Sequence, residues 1–239
     1  DIDSFMKVIE AHKDEMAAIF MEPVREKEPD EGFLETIREI SIKENIVLIF
    51  DEVITAFGRI GAPFAAQRFG VTPDIITTAK GLTNGVIPMG AVLASNAIYQ
   101  AFMQGPEQGI ELFHGYTYSG HPVAAAAGLA TLEVYQEEGS FEQARELETM
   151  FAEVIHQFDD HPRVIDVRNF GLMGAIELAP REGAPGARGL DAHKHCFWDE
   201  DLVIRNGMDI LQFSPFLNSK PDDIQSMFDS VRRVIDKIA

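Results

Sequence analysis

Lys80 follows the run Asp74-Ile-Ile-Thr-Thr-Ala and precedes Gly81-Leu-Thr-Asn-Gly85, and an earlier apolar segment, Ile46-Val-Leu-Ile-Phe50, ends directly on Asp51-Glu52. An amine and a carboxylate, each delivered by the end of a hydrophobic strand into small, Gly-rich backbone, is a layout that can hold a pyridoxal cofactor. The lysine can form an imine with an aldehyde, and the aspartate can keep a pyridine nitrogen protonated so that the ring works as an electron sink. The approach to Lys80 is apolar and its turn carries no bulky neighbour, which suits an amine partly desolvated so as to react at neutral pH. Read without that context, Lys80 is a surface lysine in a loop.

The neighbours of Asp51 admit other readings. Asp51 and Glu52 could hold a metal or favour a helix N-terminus. No His-x-His and no second carboxylate cluster stands near them, so metal is the weaker reading. Val53 lies two residues after Asp51, on the same face if the segment stays extended, and would then pack on the ring that Asp51 contacts; its plainer reading is core. His193-Lys-His195-Cys196 also invites a metal, but the spacing splays these side chains on a helix and matches none of the usual zinc patterns. We expect no metal site. Neither Gly-x-Gly-x-x-Gly nor Gly-x-x-x-x-Gly-Lys is present, so the glycines do not suggest a nucleotide fold.

The elements that must position these residues follow from periodicity. Residues 3–13 read as a polar helix capped by the stretch from Asp1 to Ser4, residues 17–21 as a buried strand stopped by Glu22-Pro23, and residues 32–45 as a helix. Strands follow at 46–50, 74–78 and 90–95, with Lys80 in the connection between the last two. Continuous apolar strands alternating with helices predict a mainly parallel sheet covered on both faces, with ligands bound beyond the strand ends. Residues 123–135, behind Pro122, predict a tightly packed Ala-rich helix. A break at Glu137-Glu138-Gly139-Ser140 divides the chain into a larger α/β domain, 1–138, and a smaller α+β domain, 139–239. In the latter we expect a helix over 140–158, a strand pair at 164–167 and 173–178, and a flexible Gly/Pro-rich loop at 183–189. A helix over 191–199, strands at 202–204 and 209–213, and a terminal helix over 221–238 complete it.

Composition narrows the function classes. Asp and Glu total 39 against 20 Lys and Arg, a net charge of −19 that would repel a nucleic-acid backbone and an anionic membrane surface. The single cysteine, Cys196, rules out an intrachain disulfide and fits a reducing compartment. No apolar stretch approaches the roughly 20 residues that span a bilayer, and no signal-like segment opens the chain, so a cytoplasmic protein is expected.

Four runs, taken together, resemble the class III pyridoxal-phosphate aminotransferases of fold type I. They are Glu22-Pro23-Val24, Phe50-Asp-Glu-Val-Ile-Thr-Ala-Phe-Gly-Arg59, Thr72-Pro-Asp-Ile-Ile-Thr-Thr-Ala-Lys-Gly-Leu-Thr-Asn-Gly85 with Pro88-Met-Gly90, and the run from His114 to Gly128. The last run and the ending from Val203 to Pro215 are most similar to the ω-amino acid:pyruvate (β-alanine:pyruvate) branch. The resemblance implies roles residue by residue. Lys80 is the lysine that binds pyridoxal 5'-phosphate and moves the proton, Asp51 pairs with the pyridinium nitrogen, and Val53 packs on the ring. Thr117 reaches the cofactor phosphate of a partner subunit, so a homodimer with a shared active site is implied. Arg205 receives the substrate carboxylate, for which its planar fork is suited. The implied reaction moves an amino group from an ω-amino acid or amine donor to pyruvate or a similar 2-oxo acid acceptor.

Three departures bear on that expectation. The resemblance covers the whole chain, but the chain covers roughly the C-terminal half of the family's length, without the part that supplies the Gly/Ser phosphate loop and a stacking aromatic. Ala56 stands where Gly is usual. The stretch from Arg25 to Leu34 looks more like the glutamate-1-semialdehyde aminomutase branch. An aminomutase or decarboxylating relative, and a shortened non-catalytic chain of the same fold, are therefore the competing readings.

Overall fold

The first helix, α1 (Ile2–His12), starts where the Asp1 carboxylate accepts the amide of Asp3 at 3.0 Å, as its sequence predicts. It belongs to a computed structural model that describes residues 1–106, 109, 112 and 114–238. These residues pack as two compact units, Asp1–Pro23, Pro29–Phe57 and Phe64–Glu138 in the first, and Val24–Glu28, Gly58–Pro63 and Gly139–Ala239 in the second. Two short segments thus pack with residues far from them in sequence.

In the first unit, α1 is followed by β1 (Ala18–Met21), α2 (Phe33–Lys43), β2 (Val47–Asp51), α3 (Ala65–Phe69) and β3 (Ile75–Thr78). A single 3-10 turn, Lys80–Leu82, leads to β4 (Ala91–Ala94), α4 (Asn96–Phe102) and α5 (Pro122–Glu138). The sheet order is β1-β2-β3-β4, with the first three strands parallel and β4 antiparallel. This is the mainly parallel α/β sheet that the strand pattern predicts. Its cover is less complete than expected. Leu34 and Ile37 of α2 bury β2 through Leu48 and Phe50, whereas Phe20 of β1 and Val92 of β4 stay 61% and 69% exposed. Among the described residues no strand pairs with the outer edges of β1 and β4, and the apolar cover concentrates on the centre. Likewise α5 buries only the stripe Ala124, Gly128, Thr131 and Tyr135, and its remaining apolar residues, such as Val123 and Leu129, face out.

Asp74 ties three of these elements together. Its carboxylate accepts from both Arg38 nitrogens of α2, at 2.8 and 3.1 Å, and from the Leu48 amide of β2 at 2.9 Å. Burial works against the ionised carboxyl, but Arg38 and the amide outweigh it and hold the group below its ordinary 3.8.

The second unit contains α6 (Ser140–Ile155), a 3-10 turn, His156–Phe158, and the hairpin β5 (Val164–Phe170) and β6 (Met173–Leu178). Next come α7 (Ala187–Asp199), β7 (Arg205–Gly207), β8 (Ile210–Phe213) and α8 (Pro221–Lys237). Its sheet is wholly antiparallel in the order β5-β6-β8-β7. Phe151, Phe158 and Phe213 all pack around Phe228, with ring centroids 5.0–6.1 Å apart.

Two boundaries here differ from the sequence reading. The third strand forms at Arg205–Gly207 rather than 202–204, because it is these residues that pair with β8. Helix α7 begins at Ala187, inside the stretch expected as a loop. The buried Asp209 carboxylate accepts the amides of Gly186 and Gly189 at 2.6 and 2.9 Å, capping a helix start that has no capping side chain of its own.

Candidate active site

Parallel pairing sets the two principal residues in register. Asp51 is the last residue of β2 and lies opposite Thr77 of β3, so β3 carries the chain from a point beside Asp51 to Lys80 within three residues. Both residues therefore leave the same end of two neighbouring parallel strands, where α/β sheets bind ligands.

The Asp51 carboxylate is half-buried and held by two local donors. One oxygen accepts the Val53 amide at 3.1 Å and faces the Thr77 hydroxyl at 3.4 Å. The bond to Val53 ends the extended segment, and Val53 opens a turn instead of continuing the strand. The same-face argument that placed Val53 beside Asp51 therefore does not hold through strand alternation. Val53 is half-buried rather than core.

Glu52 parts company with Asp51, as adjacent strand residues must. Fully buried, its carboxylate accepts the amides of Ala65 and Ala66, at 2.5 and 3.1 Å, and the Thr55 hydroxyl at 3.1 Å. These amides open α3, so Glu52 caps that helix from a distance. Burial pushes the carboxyl above its ordinary 4.5, against the three hydrogen bonds that pull it down. Asp51-Glu52 is thus one carboxylate at the strand end and one helix cap. Ala56, where glycine was expected, is unstrained, since the left-handed backbone falls on Phe57 and Gly58.

Lys80 opens the 3-10 turn with φ at +40°, a left-handed conformation rare for a side-chain-bearing residue. Its side chain is exposed rather than partly desolvated, and among the described residues its amine has no hydrogen-bond or ion-pair partner. Gly81 behind it accepts the Tyr135 hydroxyl at 2.8 Å. An unengaged amine and an oriented carboxylate on adjacent parallel strands fit what pyridoxal phosphate requires of a protein.

Thr117 is exposed and lines a cavity of about 650 Å³ between residues 87–90 and 114–121. Neither Lys80 nor Asp51 lines that cavity. Arg205 opens β7 opposite Gln212, in the second unit, and lines a cavity of about 470 Å³ with Phe213, Pro215 and Phe216. Its guanidinium makes no ion pair among the described residues. Cys196 is buried, and burial with nearby Glu200 pushes its thiol up to about 12, which removes it as a nucleophile. Among the described residues no three His, Cys, Asp or Glu converge as a metal site, and no helix is long and apolar enough to cross a membrane.

Sequence reasoning missed Thr77, the distance from Glu52 to the helix it caps, and Tyr135. Thr77 was accessible from strand pairing alone, but the other two act across gaps that no local pattern marks.

The profile described as "Aminotransferase class-III" matches residues 2–235. An omega-aminotransferase of Caulobacter vibrioides is 50% identical over 99% of this chain and 55% of its own length. The omega-amino acid–pyruvate aminotransferase of Pseudomonas putida is 47% identical over 99% of this chain and 54% of its own. The solved (S)-enantioselective omega-transaminase of Thermomicrobium roseum superposes with a TM-score of 0.90 at 29% identity, over 98% of this chain and 54% of that one. The chain spans about half the length of the curated relatives it matches.

Proposed function

The chain belongs to the class-III aminotransferases, a pyridoxal-phosphate-dependent family, and from that premise we propose that it is the lysine-bearing part of a transaminase. The amino donor is an ω-amino acid or amine, and the acceptor is pyruvate or a similar 2-oxo acid. The observation that carries this reading is the register of Asp51 with Thr77, which sets a held carboxylate and an unengaged lysine at the ends of adjacent parallel strands. The substrate class rests on the relatives' names, which include an omega-amino acid–pyruvate aminotransferase and a beta-alanine–pyruvate aminotransferase.

When bound, pyridoxal phosphate supplies an electron sink for the charge left on a carbon that loses its proton. In our reading Lys80 would hold the cofactor through its Nζ and, once freed, would accept and return the transferred proton. Asp51, its orientation fixed by Val53 and Thr77, would pair with the ring nitrogen and keep it protonated. Val53 would pack on the ring. Thr117 would hold the cofactor phosphate of a partner subunit, which would make a homodimer part of the site. Arg205, which has no ion-pair partner among the described residues, would receive the substrate carboxylate in a bidentate fork. The acidic surface and lone buried thiol support a cytoplasmic protein that binds neither nucleic acid nor membrane.

The test adds pyridoxal phosphate to the purified chain, removes the free cofactor, and records the visible absorbance and the alanine formed from β-alanine and pyruvate. Both signals are expected in the wild type and lost in Lys80→Ala. Equal spectra from the two proteins would show that Lys80 does not hold the cofactor. Sedimentation of the loaded chain as a monomer would remove the assigned role of Thr117.

A further inference from the structure

We propose that Tyr135 and Phe57 are positioning residues for Lys80, acting through the backbone of Gly81; the proposal rests on the reading of Lys80 as the cofactor-bearing amine. Lys80 has a left-handed backbone, with φ at +40°, although it carries a full side chain. Such a conformation persists only where the surroundings over-determine it. Gly81 supplies the constraint. Its carbonyl accepts the hydroxyl of Tyr135, from α5, at 2.8 Å. Its α-carbon lies close against Phe57, from the turn that follows Asp51. A Cβ placed on Gly81 would stand 2.9 Å from Phe57 Cβ and 3.2 Å from its Cδ2.

The two clamping residues also hold each other. Their rings stack at 6.3 Å with an interplanar angle of 22°, Phe57 packs on Phe64 at 5.6 Å, and both Phe57 and Tyr135 are 7% exposed. Phe57 itself is left-handed, with φ at +61°. Two unusual backbone conformations, one after Asp51 and one at Lys80, are thus locked together by one contact at Gly81. The turn is closed on its other side by the Leu82 amide, which donates to the Ala79 carbonyl at 2.9 Å. With Ala79 and Gly81 both fixed, Lys80 has no freedom to relax to an ordinary backbone, and its side chain leaves the turn in one direction. Releasing Gly81 lets Lys80 relax and turns the amine away.

The decisive measurement is covalent capture of pyridoxal phosphate across a range of pH, in the wild type, Lys80→Ala, Tyr135→Phe and Gly81→Ala. The amine attacks the aldehyde carbon, water leaves, and hydride from added borohydride makes the bond permanent, so mass spectrometry of the Lys80 peptide reads the yield. Tyr135→Phe keeps the ring stack and removes only the hydroxyl. We expect roughly three- to tenfold slower capture at Lys80, with an altered pH profile, and faster hydrogen exchange confined to residues 79–85. Gly81→Ala, which forces Phe57 aside, changes capture in the same direction. If Tyr135→Phe captures at the wild-type rate and pH profile, the clamp is wrong while Lys80 stands, even where the variant melts lower or exchanges faster throughout α5. If wild type and Lys80→Ala capture equally, the assignment of Lys80 and the clamp fall together.

Discussion

Asp51 and Glu52 are adjacent carboxylates of similar chemistry, yet the backbone gives them different partners and different burial. Asp51 stays half-buried among an amide and a hydroxyl, while Glu52 is sealed against the first two amides of α3. Truncation by Glu52→Ala leaves those amides and the Thr55 hydroxyl without their acceptor and should cost about 2 kcal/mol. Glu52→Gln separates charge from shape. Because burial raises the Glu52 carboxyl above 4.5, its contribution to stability is full below that value and is lost as pH rises through the raised one. Glutamine does not titrate. Urea unfolding between about pH 4 and about pH 8 should therefore show the variant gaining on the wild type as pH rises. A constant difference over that range would mean that Glu52 keeps its ordinary acidity in the folded chain.

At the scale of elements, the hairpin of β5 and β6 shows how the run ending at Arg59 is built into the second unit. Arg59 donates to the carbonyls of Leu172 and Pro215 at 3.2 and 2.5 Å, and its own carbonyl accepts the Leu172 amide at 3.0 Å. Gly171 makes the turn with φ at +58°, and a Cβ there would stand 2.6 Å from Ile60 Cα and 2.7 Å from the Arg59 carbonyl. Backbone cannot yield as a flexible side chain can. Gly171→Ala should cost about 2–4 kcal/mol by urea unfolding, from left-handed strain and overlap together. Gly207→Ala is the control: its φ is ordinary and its Cβ position open, so its change should stay below about 0.5 kcal/mol. Similar losses at the two sites would show that the close approach at Gly171 does not hold. The same element explains what was legible in the sequence. The pair flanking Phe170-Gly171 was readable because its apolar pattern and turn glycine are local. The start of α7 was not, because Asp209 caps it from beyond its C-terminal end, and Gly189 sits inside the helix. A Cβ on Gly189 would stand 2.1 Å from the Met208 carbonyl, so that glycine serves close packing where its type suggested a loop. Helix α3 was missed for the matching reason, since Glu52 caps it from thirteen positions earlier in the chain. The strand-end positions of Lys80 and Asp51 were legible because strand ends and their flanking residues are sequence-local, whereas the exposure of Lys80 depends on packing that no run of residues records.

For the molecule as a whole, the net charge of −19 sets two electrostatic effects against each other. Excess acid repels itself in the compact state, and dissolved salt relieves that repulsion by shortening the screening length from about 30 Å at 0.01 M to about 3 Å at 1 M. Salt also weakens attractive surface pairs, among them Lys237 with Asp199 and Arg233 with Glu200, both at 2.5 Å. In both pairs the cationic side chain is about 60% exposed, and such pairs contribute little even at low salt. The better-enclosed Arg38–Asp74 pair is screened less, because part of its field runs through protein. With 39 acidic residues against 20 basic ones, repulsion is the stronger of the two effects. Raising sodium chloride from about 0.01 M to about 1 M should therefore raise the unfolding temperature of the chain, most steeply over the first few tenths molar where the screening length changes most. A fall in unfolding temperature over the same range would mean that the surface pairs outweigh the repulsion of the acidic excess.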